Sequence, residues 1–267
     1  MSMISQQSFS AVTAMFHRVS GIRLTEAKRA LVTGRLQKLA AQRGLASVDE
    51  YVEQLLAEND PAELVQVVDK LTTNETYFFR EPEHFEYLKG MLARRAPAAG
   101  PFRVWSAASS SGEEAYSIAM LLADKLGTRP WEIIGTDLST AMVESATRAL
   151  YPLERARNVP KEYLQRYCRK GQGDYDGMLL IARELRDRVS FGQANLMQPL
   201  PEWLPQFDVI FLRNVLIYFD LPAKEAIVRR VLGCLKPDGV LFTGHAESIN
   251  GAGLGLRTLQ PAVYGRA

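Results

Sequence analysis

The chain has 267 residues, 47% of them apolar and 23% charged, with 32 Lys and Arg against 30 Asp and Glu. That is enough apolar material for one large soluble domain, or for a medium domain joined to a small one. It excludes a membrane span, since no apolar run reaches about 18 residues, and the near-neutral balance leaves little footprint for nucleic acid.

From the N-terminus, stretches 8–19, 25–43, 47–57 and 61–71 read as helices, broken at Gly21, Gly44 and Asn59-Asp60-Pro61. Ser47 with Glu50 has the capping-box spacing, and Pro61 suits a first helical turn. No strand is expected before residue 70, so a small helical domain opens the chain. Its charge is segregated. Residues 17–43 carry seven Lys and Arg (Arg18, Arg23, Lys28, Arg29, Arg35, Lys38, Arg43) against Glu26, and residues 44–70 carry seven acids against Lys70. Such blocks either pair with each other and solvate helices, or present a basic helix to an acidic partner.

Residues 72–85 form a linker, and Pro97 to Pro101 marks entry into an αβ region. Residues 102–137 then give a strand, a run of small residues (Ala107 to Gly112), Glu113-Glu114, an apolar helical pattern, and the strand Trp131 to Thr136 closed by Asp137. That order is the grammar of a nucleoside-binding βαβ unit. Small side chains admit a ligand close to the backbone, and the terminal acid can accept from two ribose hydroxyls. The loop is neither G-x-G-x-x-G nor a P-loop. A helix that opens on two glutamates repels phosphate and suits a nucleoside carrying an ammonium, so S-adenosylmethionine fits better than NAD or ATP, which stay open at this point.

A helix from Ser139 to about Leu150 follows, then an interruption at 163–192, read as a short antiparallel hairpin around Gly171, Gly173 and Gly177. The αβ rhythm resumes with strands at 188–192 and 207–212, a helix at 222–235, a strand at 240–244 and a last strand near 261–265. Ligands of open αβ sheets sit beyond the carboxyl ends of the strands. That rule places residues 106–112, Asp137, the 193–196 turn and the 213–218 turn on one rim. Cys168 and Cys234 belong to no C-x-x-C, and His17, His84 and His245 are scattered, so neither disulfides nor a zinc site is expected. The start lacks a basic n-region before an apolar stretch, so a cytoplasmic protein is expected.

With the rim loops lined up, the sequence resembles the chemotaxis receptor glutamate O-methyltransferases, the CheR family. The resemblance runs from the Thr-Thr-Asn-Glu-Thr-Tyr-Phe-Phe-Arg stretch ending at Arg80, through 104–117 and Gly135-Thr-Asp137. It continues through Asn195-Leu196 and Arg213-Asn-Val-Leu-Ile-Tyr-Phe-Asp220 to 235–245. Ala115 departs from the proline usual after the paired glutamates. The resemblance implies an α/β fold: a class I S-adenosylmethionine methyltransferase domain (86–267) with a small inserted antiparallel β-subdomain (about 163–192), preceded by an all-α N-terminal domain and linker (1–85).

It also implies methyl transfer to glutamate side chains on the cytoplasmic helical bundle of chemoreceptors, with S-adenosylhomocysteine as the second product. Carried over by position, Asn74, Thr76 and Arg80 close over the methionine end. Glu114, with Glu113 as fallback, takes the ammonium, and Asp137 takes the ribose hydroxyls. Asn195 and Leu196 lie at the adenine, Arg213 and Asn214 border the site, and Tyr218 and Arg80 line the transfer pocket. No general base is needed, since a glutamate of pKa about 4.3 is ionised at neutral pH. The basic 17–43 region would dock on the acidic receptor helices, and the hairpin at 169–178 would take an extended receptor tail. A monomer without nucleic acid or membrane insertion is expected. The competing readings are a methyltransferase acting on another protein or on nucleic acid, and a cofactor-binding regulator without turnover; the first lacks the proline pair that amine methylation of bases favours after the central strand.

Overall fold

The computed structural model describes residues 3–94, 100–247, 249 and 251–267. Pro97 of the expected entry segment lies outside them.

Four helices come first, α1 (Gln6–Ser20), α2 (Arg29–Gln42), α3 (Val48–Glu58) and α4 (Pro61–Leu71). Their ends follow the local chemistry. Ser47 accepts from the Glu50 N–H at 3.1 Å while Glu50 reaches back to the Ala46 N–H, one residue beyond the usual capping-box partner. Asp60 caps α4, with Pro61 in its first turn. The helices bury Phe16, Val32, Leu36, Tyr51 and Val67 in a core of their own.

The segregated charges partly neutralise each other: Arg43, from the basic stretch, pairs with Glu58 and Glu63 of the acidic one. Arg29 holds the Ile4 carbonyl and Glu26. Arg35 donates to the Leu71 and Thr72 carbonyls, where it caps the end of α4. Arg18 and Lys38 remain exposed.

The expected linker ends early, because residues 82 onward form α5 (Pro82–Arg94). The αβ part continues with β1 (Phe102–Ala107), α6 (Glu113–Leu126), β2 (Trp131–Asp137), α7 (Thr140–Arg148), β3 (Leu150–Pro152), α8 (Lys161–Tyr167), β4 (Cys168–Lys170), β5 (Met178–Ile181) and α9 (Arg183–Arg186). It closes with β6 (Val189–Gln193), β7 (Phe207–Leu212), α10 (Leu221–Leu232), β8 (Leu235–Thr243), β9 (Leu256–Gln260) and β10 (Val263–Arg266). The main sheet has the order β6-β2-β1-β7-β8-β10-β9, parallel from β6 to β8, with β10 antiparallel to β8 and to β9. Strand β7 is buried along its whole length, as a centre strand covered on both faces must be.

The interruption of the αβ rhythm is a three-stranded antiparallel sheet, order β3-β5-β4. The β4–β5 hairpin is there as the glycines suggested. Two features differ from the sequence reading. The helix expected to reach Leu150 stops at Arg148, because Ala149 turns left-handed (φ 55°), and the chain then supplies a third strand. The start of the expected β-subdomain, Tyr163 to Tyr167, is helical; Tyr163 and Tyr167 are buried and pack on each other. After Ile181 the chain returns to the main sheet.

Candidate active site

The carboxyl ends of β1, β2, β6 and β7 open on a cavity of about 730 Å³, within the range of small-molecule sites. Its wall includes every residue proposed from the sequence to contact the cofactor or the transfer pocket: Asn74, Thr76, Arg80, Glu114, Asp137, Asn195, Leu196, Arg213, Asn214 and Tyr218. It also includes a wall that the sequence reading missed, Ser20, Ile22, Leu24 and Leu31 of the helical part. Nothing local marks those residues; they arrive because the end of α1 docks on the β6 loop. Gly21 ends α1 in a left-handed conformation (φ 74°), and a Cβ there would stand 2.5 Å from Met197 Cγ. A larger residue would hold the two parts apart.

At one end of the cavity, Asp137 is almost fully buried. One carboxylate oxygen accepts from the Ser110 N–H at 2.8 Å and the other from the Ser139 N–H at 2.9 Å. Each oxygen keeps one further lone pair, the arrangement that a vicinal diol requires. Burial pushes the Asp137 carboxyl up to about 6, against the two backbone N–H groups, which favour its ionised form.

At the other end, the paired glutamates separate. Glu113 is wholly buried and turned away from the cavity, paired with Arg155 at 2.8 Å and accepting from Ser111 Oγ at 2.7 Å. Glu114 faces inward, accepting from Ser106 Oγ at 2.6 Å and from Arg213 at 3.0 Å. Burial raises its pKa, while Arg213 and Ser106 oppose the rise.

Arg213 follows the apolar strand β7, where a bare guanidinium would be costly. It meets two carboxylates and a carbonyl: Glu114, Glu81 at 3.1 Å and the Arg80 oxygen at 2.5 Å. Arg213 is therefore a strut that ties the linker to the sheet. Asn214 adopts a left-handed conformation (φ 57°) and donates from its side chain to Glu81 at 3.2 Å.

Asn195 is anchored at both ends of its amide. Its Nδ2 donates to the Val19 carbonyl at 2.8 Å and its Oδ1 accepts from the Met197 N–H at 2.9 Å, which leaves one N–H and one lone pair for a ligand. Over the mouth, Arg80 lies 5.6 Å from the Tyr77 ring centroid and donates to the Glu75 carbonyl. The linker is pinned from two sides, by Ser110 Oγ on the Asn74 carbonyl and by Arg155 on the Thr76 carbonyl.

Two histidines scattered in sequence do meet: His84, His245 and Glu81 cluster with potential ligand atoms within 4.8 Å of one another. The Glu81 oxygen that faces His84 at 3.3 Å is the one held by Arg213, so a cation there would sit against a guanidinium. Burial and then Arg213 push His84 down to about 4, which keeps it neutral. No histidine is among the described residues of the cavity wall.

A cavity with a buried carboxylate for a diol at one end and an anionic side chain for an ammonium at the other fits a nucleoside that ends in an amino acid. Comparison with known proteins agrees. Residues 7–72 match the CheR methyltransferase all-alpha domain, and residues 74–261 match the CheR methyltransferase SAM binding domain. The chain belongs to the CheR methyltransferase family. It is 39% identical to the chemotaxis protein methyltransferase of Escherichia coli over 92% of this chain and 86% of that one. It is 37% identical to chemotaxis protein methyltransferase 2 of Pseudomonas aeruginosa over 98% and 94%. The chemotaxis protein methyltransferase of Borreliella burgdorferi is 32% identical over 98% and 94%. The CheR family member described here is thus an S-adenosylmethionine-dependent methyltransferase of chemotaxis adaptation.

Proposed function

We propose that this enzyme esterifies glutamate side chains on the cytoplasmic helical bundle of chemoreceptors, and that the residues brought together in the cavity divide the work as follows. The observation that carries the reading is a cavity whose polar ends suit the cofactor and whose mouth offers a cation, Arg80, and a phenol, Tyr218, with no histidine among the described residues of its wall.

Asp137 holds the ribose hydroxyls, Glu114 the ammonium, and Asn195 with Leu196 the adenine edge. Asn74 and Thr76 close over the methionine end, between the anchored linker and the sheet. Arg213 and Asn214 keep that linker in register. S-adenosylmethionine supplies an electrophilic methyl on a sulfonium. The substrate carboxylate is already ionised, so the protein need not remove a proton. What limits the nucleophile is its hydration, so the enzyme's part is alignment and exclusion of water. Alignment can contribute at most about 7–11 kcal/mol. Arg80 orients the incoming carboxylate from the mouth. Its charge is shared with the Glu75 carbonyl and the Tyr77 ring, which keeps the ion pair weak enough to spare nucleophilicity. Burial raises the Tyr218 pKa, so its hydroxyl stays protonated and can donate to that carboxylate.

Arg18 and Lys38, exposed on the helical domain, provide the charge that meets acidic receptor helices. The β4 edge of the small sheet offers an unpaired strand to a receptor tail, where one is present. The cytoplasm is the setting such substrates require; among the described residues no helix is long and apolar enough to cross a membrane.

The deciding experiment incubates the enzyme with methyl-labelled cofactor and receptor-rich membranes. Base-labile label on a receptor band is expected. Stable label on an amine or nucleic acid, or cofactor binding with no transfer, would refute the assignment.

A further inference from the structure

Behind the 213–218 turn lies a carboxylate that the division of work above leaves unassigned. Glu247 is buried (3% exposed) and absent from the cavity wall, yet it accepts four backbone hydrogen bonds. One oxygen takes the N–H groups of Asn214 at 2.8 Å and Gly244 at 2.6 Å. The other takes those of Leu216 at 2.6 Å and Ile217 at 3.3 Å.

We propose that Glu247 is a positioning residue for methyl transfer, an internal anion around which the loop carrying Arg213, Asn214 and Tyr218 is wrapped. Asn214 sits at a positive φ that a non-glycine residue adopts at a cost, and three N–H groups of the turn point at one spot. Without an acceptor there the Leu216 and Gly244 N–H groups would be buried and unmet, and each such group costs about 1–3 kcal/mol. Gly244 is the matching half of the device. A Cβ at that position would stand 2.8 Å from the Glu247 carboxylate and 2.7 Å from Asn214 Nδ2, so only glycine lets the end of β8 approach the turn.

The two halves of the turn are not equally dependent on this anchor. Arg213 and Asn214 have a second tie through Glu81 and Glu114. Leu216 and Ile217, which carry Tyr218, are tied to Glu247. Loss of the carboxylate should therefore loosen the substrate end of the cavity more than the cofactor end. That asymmetry separates positioning from general support, because a merely structural residue would lower the amount of folded enzyme without separating kcat from cofactor affinity.

The test rests on the methyltransferase reading above and compares Glu247→Gln, Glu247→Asp and Gly244→Ala with the parent chain, all well below their melting midpoints. Calorimetry with S-adenosylhomocysteine gives the competent fraction and the affinity; labelled transfer to receptor membranes gives kcat and KM. For Glu247→Gln, whose amide sets a donor against donors, kcat per competent site should fall about 100-fold, the cost of a displacement of roughly 1 Å. Product affinity should fall less than tenfold. Glu247→Asp, which keeps the charge, should recover part of kcat. Gly244→Ala leaves the carboxylate in place but crowds it and Asn214 Nδ2, so kcat should fall there too. Equal losses in kcat and in product affinity, or parental kcat in the folded variants, would overturn the proposal. A parent chain that binds product but transfers no methyl would instead refute the substrate assignment. In that case product affinity decides, since Glu247→Gln must still weaken it measurably.

Discussion

Asp137 offers the most quantitative test of the cavity, because its ionisation and its proposed role pull in opposite directions. Burial disfavours the charged form and raises the ligand-free pKa to about 6. Two ribose hydroxyls donate more strongly to the charged form than to the neutral one, so the bound pKa must be lower than the free one, and affinity must rise with pH until the free carboxyl is ionised. With a free value of about 6, affinity for S-adenosylhomocysteine should be flat above about pH 7 and about twofold weaker at pH 6. At pH 5 it should be about tenfold weaker, each tenfold step being about 1.4 kcal/mol. Binding near pH 6 should release about half a proton per site, which calorimetry in buffers of different ionisation enthalpy reads directly. Asp69 also acts on this carboxylate, so Asp137→Asn is the control. It should bind the product about 2–4 kcal/mol more weakly, through the loss of charge-assisted bonds and the clash of an amide with the Ser110 or Ser139 N–H. The step in the profile should vanish with it. An unchanged step in Asp137→Asn, or a flat profile in the parent between pH 5 and 7, would refute the assignment.

Arg213→Met should cost about 3–5 kcal/mol in urea unfolding, because Glu81 and Glu114 would keep buried charges without their partner; a loss under about 1 kcal/mol would show that the strut carries little. Reversing the exposed charges, Arg18→Glu with Lys38→Glu, should raise the KM for receptor and flatten its salt dependence, with product affinity unchanged; Arg35 is unsuited to this test because it caps α4. Gly21→Ala should destabilise the chain by about 1–2 kcal/mol from the left-handed backbone alone, and should weaken product binding, since Ser20 and Ile22 line the cavity; differential scanning and calorimetry check both.

Much of the site was legible because its signals are local. A run of small residues between a strand and a helix, an acid at the tip of the next strand, and an arginine after an apolar strand each constrain chemistry within a few positions. The rim rule grouped Asp137 with the 106–112, 193–196 and 213–218 stretches, and residues from each line the one cavity; Asn74, Thr76 and Arg80 came in through the family resemblance. What escaped has the opposite character. β3 is only three residues long and exists through pairing with β5, some distance along the chain, while β9 is a five-residue edge strand that pairs only with its neighbour β10, so no periodicity announces either. Helix α8 presents Tyr163 and Tyr167 four apart, a spacing that the aromatic stretch flanking the glycine hairpin did not bring out. The choice between Glu113 and Glu114 needed the helix's orientation, since neighbouring residues lie about 100° apart around the axis. The basic stretch read as one feature dissolved into four separate jobs, with Arg23, Arg29, Arg35 and Arg43 each committed within the chain.

The docking of α1 against the β6 loop also bears on how this enzyme can be rebuilt. Val19 anchors the amide of Asn195, and Ser20 to Leu24 furnish part of the enclosure. A chimera that grafts the sheet domain behind a foreign helical module would arrive with one side of the cavity missing and Asn195 unmoored. Swaps of the helical part should therefore cut N-terminal to the last turn of α1 and carry residues 19–25 along with the sheet.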